Sequence, residues 1–260
     1  MKMKIVFSLI LLLFGIILMS YQNGPTNRTG NGYTGAPGED GQVCADCHFL
    51  GFYSEPKTII SLADAITGKI EQSYRSGREY IVSLQVNSNK IGNGPNPRYG
   101  MQMTALDEDH MDSGLWAEPS NNAQISFTTV SGSPQVRAYL EHKSPSPSRI
   151  FSGRWKAPLC STDTITFYHI GNAVNFDMGQ SGDRGGNGDS TKFYPELAAY
   201  LYLDQLDTLD GTYYAKDSIW TSSNIRDTAD VLLYSDEIIL RDSFEVESLS
   251  MFQILIDTCQ

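Results

Sequence analysis

From Tyr80 onward the chain alternates. Tyr80, Val82, Leu84 and Val86 are interleaved with Ile81, Ser83, Gln85 and Asn87. That is largely the period of two of a strand with one face buried. Met101, Met103 and Ala105 repeat it against Gln102, Thr104 and Leu106; Ile125 and Phe127 form a short run; Val136, Ala138 and Leu140 alternate with Arg137, Tyr139 and Glu141; Ile165, Phe167 and His169 alternate with Thr164, Thr166 and Tyr168. Between these runs stand Gly92-Asn93-Gly94-Pro95-Asn96-Pro97, Ser131-Gly132-Ser133-Pro134 and Ser144-Pro145-Ser146-Pro147-Ser148. Short alternating runs separated by Gly, Pro, Asn and Ser predict an antiparallel, all-β sandwich. No long amphipathic helix competes with it.

The flanks differ from this centre. Residues 1–20 open with Lys2 and Lys4 and continue into an apolar run, Ile5 to Met19, broken by Ser8. A charged start and an apolar stretch of this length are expected of a secretory leader. Fifteen residues are too few to span a bilayer. Export predicts a secreted or cell-surface protein in an oxidising compartment. Residues 21–56 are rich in Gly, Asn, Thr and Pro and read as a loop segment. The sandwich is expected over 57–200. Residues 201–260 are acidic, with twelve Asp and Glu against three Lys and Arg from Asp204 on, so most of the net charge of −11 lies there. The apolar runs Val231–Leu233, Ile238–Leu240, Phe244–Val246 and Met251–Ile256 predict a small separate β-module. The acidity excludes a nucleic-acid binder, which needs clustered Lys and Arg.

The chemistry concentrates in Cys44-Ala45-Asp46-Cys47-His48, a C-x-x-C-H sequence. It is the spacing of a c-type haem attachment site. Two thiols three residues apart each add to one vinyl group, and the following imidazole becomes the proximal iron ligand. Two other readings use the same residues: a Cys44–Cys47 redox disulfide with His48 incidental, or a zinc site, for which no second C-x-x-C or H-x₃₋₅-H partner is present. With haem c as cofactor, a second axial ligand is to be sought among His142, His169, His110, Met101 and Met103, or the position is open. His169 has the parity of Ile165 and Phe167 and is expected to be a core histidine. Asp183, Asn187 and Asp189 offer oxygen donors for calcium in a spacing that fits no EF-hand. Cys160 and Cys259 are left over, for a disulfide or, at Cys259, for terminal processing. No Gly-x-Ser-x-Gly, phosphate-cradling loop or His-Glu-x-x-His occurs, so no catalytic residue is assigned and turnover is not expected.

Several segments also resemble a known family. Asn27-Arg28-Thr29-Gly30 and Gly32-Tyr33-Thr34-Gly35-Ala36-Pro37-Gly38-Glu39 ahead of C-x-x-C-H, with Gly100-Met101-Gln102-Met103-Thr104-Ala105-Leu106-Asp107, are similar to the choice-of-anchor V domain of secreted Bacteroidota proteins. Tyr139-Leu140-Glu141-His142 with Ser144-Pro145-Ser146, Phe151 to Pro158, and Phe167 to Asn175 are similar to that family and also to the Reeler domain. The resemblance spans about residues 26–190. It implies an immunoglobulin-like, Reeler-like β-sandwich preceded by the haem-binding loop, and it singles out His142 for the distal side of the iron. The stretch from Ala229 to Gln260, ending Cys259-Gln260, resembles the C-terminal β-module of proteins exported by the type IX system; an ordinary hairpin pair is the alternative. The type IX resemblance implies attachment at the outer-membrane surface. The expected role is one-electron transfer or haem-based sensing with a redox partner. The alternative is an adhesion module that binds glycan or protein, with a C-x-x-C disulfide and no haem.

Overall fold

The computed structural model describes residues 23–49, 51–130, 136–159, 163–177, 179–196, 200–203, 209, 211–214, 218–222, 225, 230–235, 237–240, 244–246 and 251–256. The expected leader (1–20), Cys160 and Cys259 lie outside the described residues. Two compact units are present. The first runs through Gln72 and takes in Glu79–Lys156 and Thr164–Phe193; the second is Ser73–Arg78, Ala157–Asp163 and Tyr194–Gln260.

The first unit is an all-β sandwich. One sheet has the order β2 (Ile70–Glu71), β1 (Lys57–Asp64), β4 (Glu79–Asn87), β9 (Ile150–Lys156), β6 (Leu115–Ala117). The other has β12 (Asp189–Pro195), β10 (Ile165–Val174), β5 (Arg98–Leu106), β8 (Val136–His142), β7 (Ala123–Thr129), with β11 (Arg184–Gly185) beside β10. Every pairing among these strands is antiparallel. The alternation read from the sequence in β4 is real: Tyr80, Val82, Leu84 and Val86 are all buried. Met101, Met103, Ala105, Leu140 and Phe167 of the second sheet are buried as well. Trp155 lies 5.1 Å from Phe167, and Phe167 lies 5.6 Å from Phe193, both edge to face. Phe127 shares the periodicity but is 65% exposed, because β7 is an edge strand.

In β5 the alternation fails to predict burial. Eight of its nine residues are buried, Gln102 and Thr104 as fully as Met103. The reason is a third layer. The segment 23–49, with the short helices α1 (Pro25–Thr29) and α2 (Cys44–Cys47), packs on the face of β5 and β8 that points away from the core. Gln102 Oε1 accepts from Tyr33 N at 2.7 Å, and Gln102 Nε2 donates to Thr26 Oγ1 at 2.6 Å. The loop segment expected over 21–56 is therefore ordered where it is described.

In the second unit Ser73 and Tyr74 (β3) pair in parallel with Tyr194 and Pro195. Beyond these, β13 (Tyr200–Tyr202), β15 (Ser218–Thr221) and β17 (Glu237–Leu240) form one sheet; β14 (Gly211–Tyr214), β16 (Asp230–Ser235) and β18 (Met251–Ile256) form another. All these pairings are parallel. Tyr200 stands opposite Ser218 and Ser218 opposite Glu237, steps of 18 and 19 residues. Successive coils of about twenty residues stacked in parallel are a solenoid arrangement. A hairpin pair, which is antiparallel, is not what these strands form. Leu203, Leu209, Ile219, Ile225, Val231 and Leu233 make its core.

Candidate haem-attachment site

Three carboxylates hold the 23–49 segment on the sandwich. Glu141 is fully buried and accepts from Thr26 N (2.8 Å), Asn27 N (3.0 Å), Gln102 Nε2 (3.3 Å), Gln124 Nε2 (3.1 Å) and Ser126 Oγ (2.6 Å). The first two are backbone groups at the start of α1, where amides lack intrahelical partners. Glu39 accepts from Thr34 Oγ1, Gly35 N, Ala36 N and Tyr139 Oη. Gly32 is needed at this point, since a Cβ there would stand 2.2 Å from Tyr139 Oη. The third is Asp183, at the turn into β11.

The motif itself forms one helical turn. Asp46 Oδ2 accepts from Val43 N at 2.8 Å, which closes the start of α2. The helix rests on β11: Ala45 N donates to Gly186 O at 3.1 Å, and Gly185 N donates to His48 O at 2.7 Å. Gly185 permits this approach, because a Cβ there would lie 2.3 Å from the Cys44 carbonyl carbon. Cys44 and Cys47 are free thiols, each half-buried. Burial pushes the Cys44 thiol up to about 12, helped by the neighbouring charges of Cys47, Glu39 and Asp46.

His48 is buried, and its Nδ1 stands 2.9 Å from Asp183 Oδ2. Asp183 is 1% exposed, and its other oxygen accepts from Asn175 N at 2.8 Å. The Gly/Asp-rich loop therefore delivers a histidine partner, not the calcium donor considered from sequence, and no cluster of metal-ligating side chains occurs among the described residues.

Four histidines were open for a ligand role, and they separate cleanly. His169 is buried in the core with Nδ1 2.8 Å from Thr58 Oγ1 and Nε2 3.0 Å from Thr191 Oγ1, so both ring nitrogens are engaged. His110 is exposed in a turn at φ 63°. His48 and His142 line one small cavity together with Cys44, Pro25, Met101 and Asn172. Met103 is core, opposite His169. His142 Nδ1 lies 3.2 Å from Met101 N and 3.0 Å from Met101 O. If Nδ1 carries the proton it donates to the carbonyl, and Nε2 holds the lone pair a metal needs. Into the same cavity faces Asn172, whose buried Oδ1 has no hydrogen-bond partner. The sequence names Cys44, Cys47, His48 and His142 as candidates. It does not mark Asp183 as the partner of His48, and it includes Glu141 and Asn172 only within segments of family resemblance, without a role.

The enclosed part of this cavity measures about 40 Å³, enough for about two waters. The donor set suits a haem c: two thiols on one turn, a buried imidazole oriented by a carboxylate, a second imidazole on the same cavity, and an orphaned polar atom beside them. The enclosed volume is that of waters, not of a macrocycle.

No family model matches the chain, and no curated protein matches it. Among solved structures, the reeler domain of human F-spondin is similar at 15% identity over 56% of this chain and 93% of that one, with a TM-score of 0.33. The Reelin-N domain of F-spondin is similar at 17% identity over 56% and 90%, with a TM-score of 0.34. A cohesin module from a Clostridium perfringens family 33 glycoside hydrolase is similar at 8% identity over 55% and 98%, with a TM-score of 0.32. The sandwich fold stands on its own two sheets and not on these likenesses. No helix among the described residues is long and apolar enough to cross a membrane.

Proposed function

We propose that the protein is an exported single-haem c carrier that moves one electron, or senses redox state, at the cell surface. The observation that carries this reading is the meeting of Cys44, His48 and His142 at one cavity. Cys44 and Cys47 would hold the group through thioethers; His48 would bind the iron on the proximal side and His142 on the distal side. When bound, the group supplies a one-electron couple, and two imidazole ligands favour electron transfer over activation of a small ligand. The residues of the chain do the rest. Glu141 and Glu39 keep the motif segment on the sheet. Covalent attachment removes the need for a deep pocket, and the enclosed 40 Å³ means that the side chains at its mouth must part to admit the macrocycle. We also infer delivery to the outer surface, from the leader-like residues 1–20 and from the tail's resemblance to type IX modules.

The test is mass and colour. Full-length protein made with a haem-attachment system should be red, keep its haem through acid-acetone extraction, and exceed its polypeptide mass by one haem. A colourless product at polypeptide mass overturns the reading; with a Cys44–Cys47 disulfide in its peptide map it would instead be the binding module. A His142→Ala protein whose axial-ligand spectrum is unchanged removes His142 from the iron.

A further inference from the structure

The haem reading names His48 as a ligand but leaves open which of its nitrogens is available, and the fold answers that with a residue outside the motif. Asp183 lies 135 positions downstream of His48, yet its carboxylate meets Nδ1 at 2.9 Å with both side chains buried. One hydrogen lies between them, and with the other carboxylate oxygen already accepting from Asn175 N the arrangement is that of a carboxylate accepting from Nδ1–H. Asp183 is itself fixed, by Asn175 N at its other oxygen and by β11, whose Gly185 N donates to His48 O. The motif helix therefore rests on the strand that Asp183 immediately precedes, so the backbone of His48 and the carboxylate are held together.

We propose that Asp183 is a positioning residue for the iron: it holds His48 as the Nδ1–H tautomer, presents Nε2 as the lone-pair nitrogen, and makes that nitrogen a stronger donor. A carboxylate on the far nitrogen raises ligand basicity. A more basic imidazole stabilises the oxidised iron and lowers the midpoint potential. This rests on the haem reading above for its second half; the tautomer half stands on the polypeptide alone.

Two measurements separate the halves. In full-length Cys44→Ser/Cys47→Ser protein, which cannot attach haem, long-range ¹H–¹⁵N correlation should find a hydrogen on His48 Nδ1. Asp183→Ala in that background should shift the ring toward Nε2–H, the form free imidazole prefers. A wild-type ring with no hydrogen on Nδ1 overturns the inference whatever the haem result. In the haem-loaded protein, the isosteric Asp183→Asn should keep the haem mass and native circular dichroism while its midpoint potential rises. An unchanged potential at full haem content overturns the electronic role. Asp183→Glu, which restores the carboxylate, should bring the potential back toward wild type; if Asp183→Asn does not fold, a wild-type–to–Asp183→Glu comparison by redox infrared difference spectra, read at the histidine ring bands, decides the point in the same way. Absence of haem from the wild type overturns the function itself, while the tautomer still decides whether Asp183 orients the ring.

Discussion

The sandwich and the segment laid over it are immobilised by different physics. In the sandwich, order comes from backbone ladders: β4 alone pairs with β1 over eight positions and with β9 over seven. Segment 23–49 has no ladder of that kind. Its backbone N–H groups go largely to side chains, with Glu141, Glu39 and Asp46 together accepting from Thr26, Asn27, Gly35, Ala36 and Val43. A ladder spreads stability over many residues. A carboxylate concentrates it in one. On this contrast, a single substitution should loosen the motif-bearing layer more than it loosens the layer beneath it.

The largest effect should come from the sandwich core. Trp155 is fully buried, packs on Tyr80 and Phe167, and donates from Nε1 to Ser113 O at 3.0 Å. Trp155→Ala should cost about 3–5 kcal/mol and lower the urea midpoint of the whole first unit. A loss below 1 kcal/mol would mean that the two sheets do not pack through this ring.

Next is Glu141→Gln. It removes a charge that takes five donors, and hydrogen bonds to charged groups are worth about 1.5–3 kcal/mol each before compensation. The expected signature is regional. Amide exchange should accelerate at Thr26 and Asn27 while the β4 amides stay protected. Equal acceleration in both would break the distinction between the layers.

A smaller, more local effect is expected from Gly185→Ala. The added methyl meets the Cys44 backbone, and overpacking of this kind costs about 1–3 kcal/mol. It should loosen the Ala45 amide, whose acceptor is Gly186 O, and reduce haem attachment without altering the Trp155 environment. Normal attachment in this variant would show that α2 does not need its seat on β11.

The same contrast explains what the sequence made legible. Ladders leave a periodicity, so β4, β5 and β10 were readable from Val82, Met103 and Phe167 and their alternating neighbours. The C-x-x-C-H spacing is local, so its three residues were readable too. Gln102, Glu141 and Asp183 are polar residues whose partners lie 69, 115 and 135 positions away. Nothing in a strand's alternation marks a polar residue that is buried by a third layer. The parallel stacking of the acidic tail was hidden for a related reason: its apolar runs looked alike whether paired with near neighbours or with the strand one coil away.

The smallest effect concerns the core histidine, His169. His169 has hydroxyl partners on both nitrogens, and desolvation lowers its pKa against a weaker upward pull from Asp189. In the unfolded chain the imidazole titrates near its ordinary value of about 6.5. As pH falls below that value the unfolded chain takes up a proton before the folded one does, so the fold loses stability toward acid and is unaffected above neutrality. Asp112 contributes with the opposite sign over a lower range: burial raises it from 3.8 to about 6, so its contribution is full only below 3.8 and is lost as pH rises through 6. Wild type and His169→Gln share Asp112, and the difference between their urea midpoints at pH 7.5 and pH 5.5 therefore isolates the histidine. The difference should shrink toward pH 5.5, where the wild type alone bears the cost of a proton in its core. A constant difference would mean that the Thr58 and Thr191 hydroxyls rearrange to accept the charged ring, and that the core is less fixed than its ladders suggest.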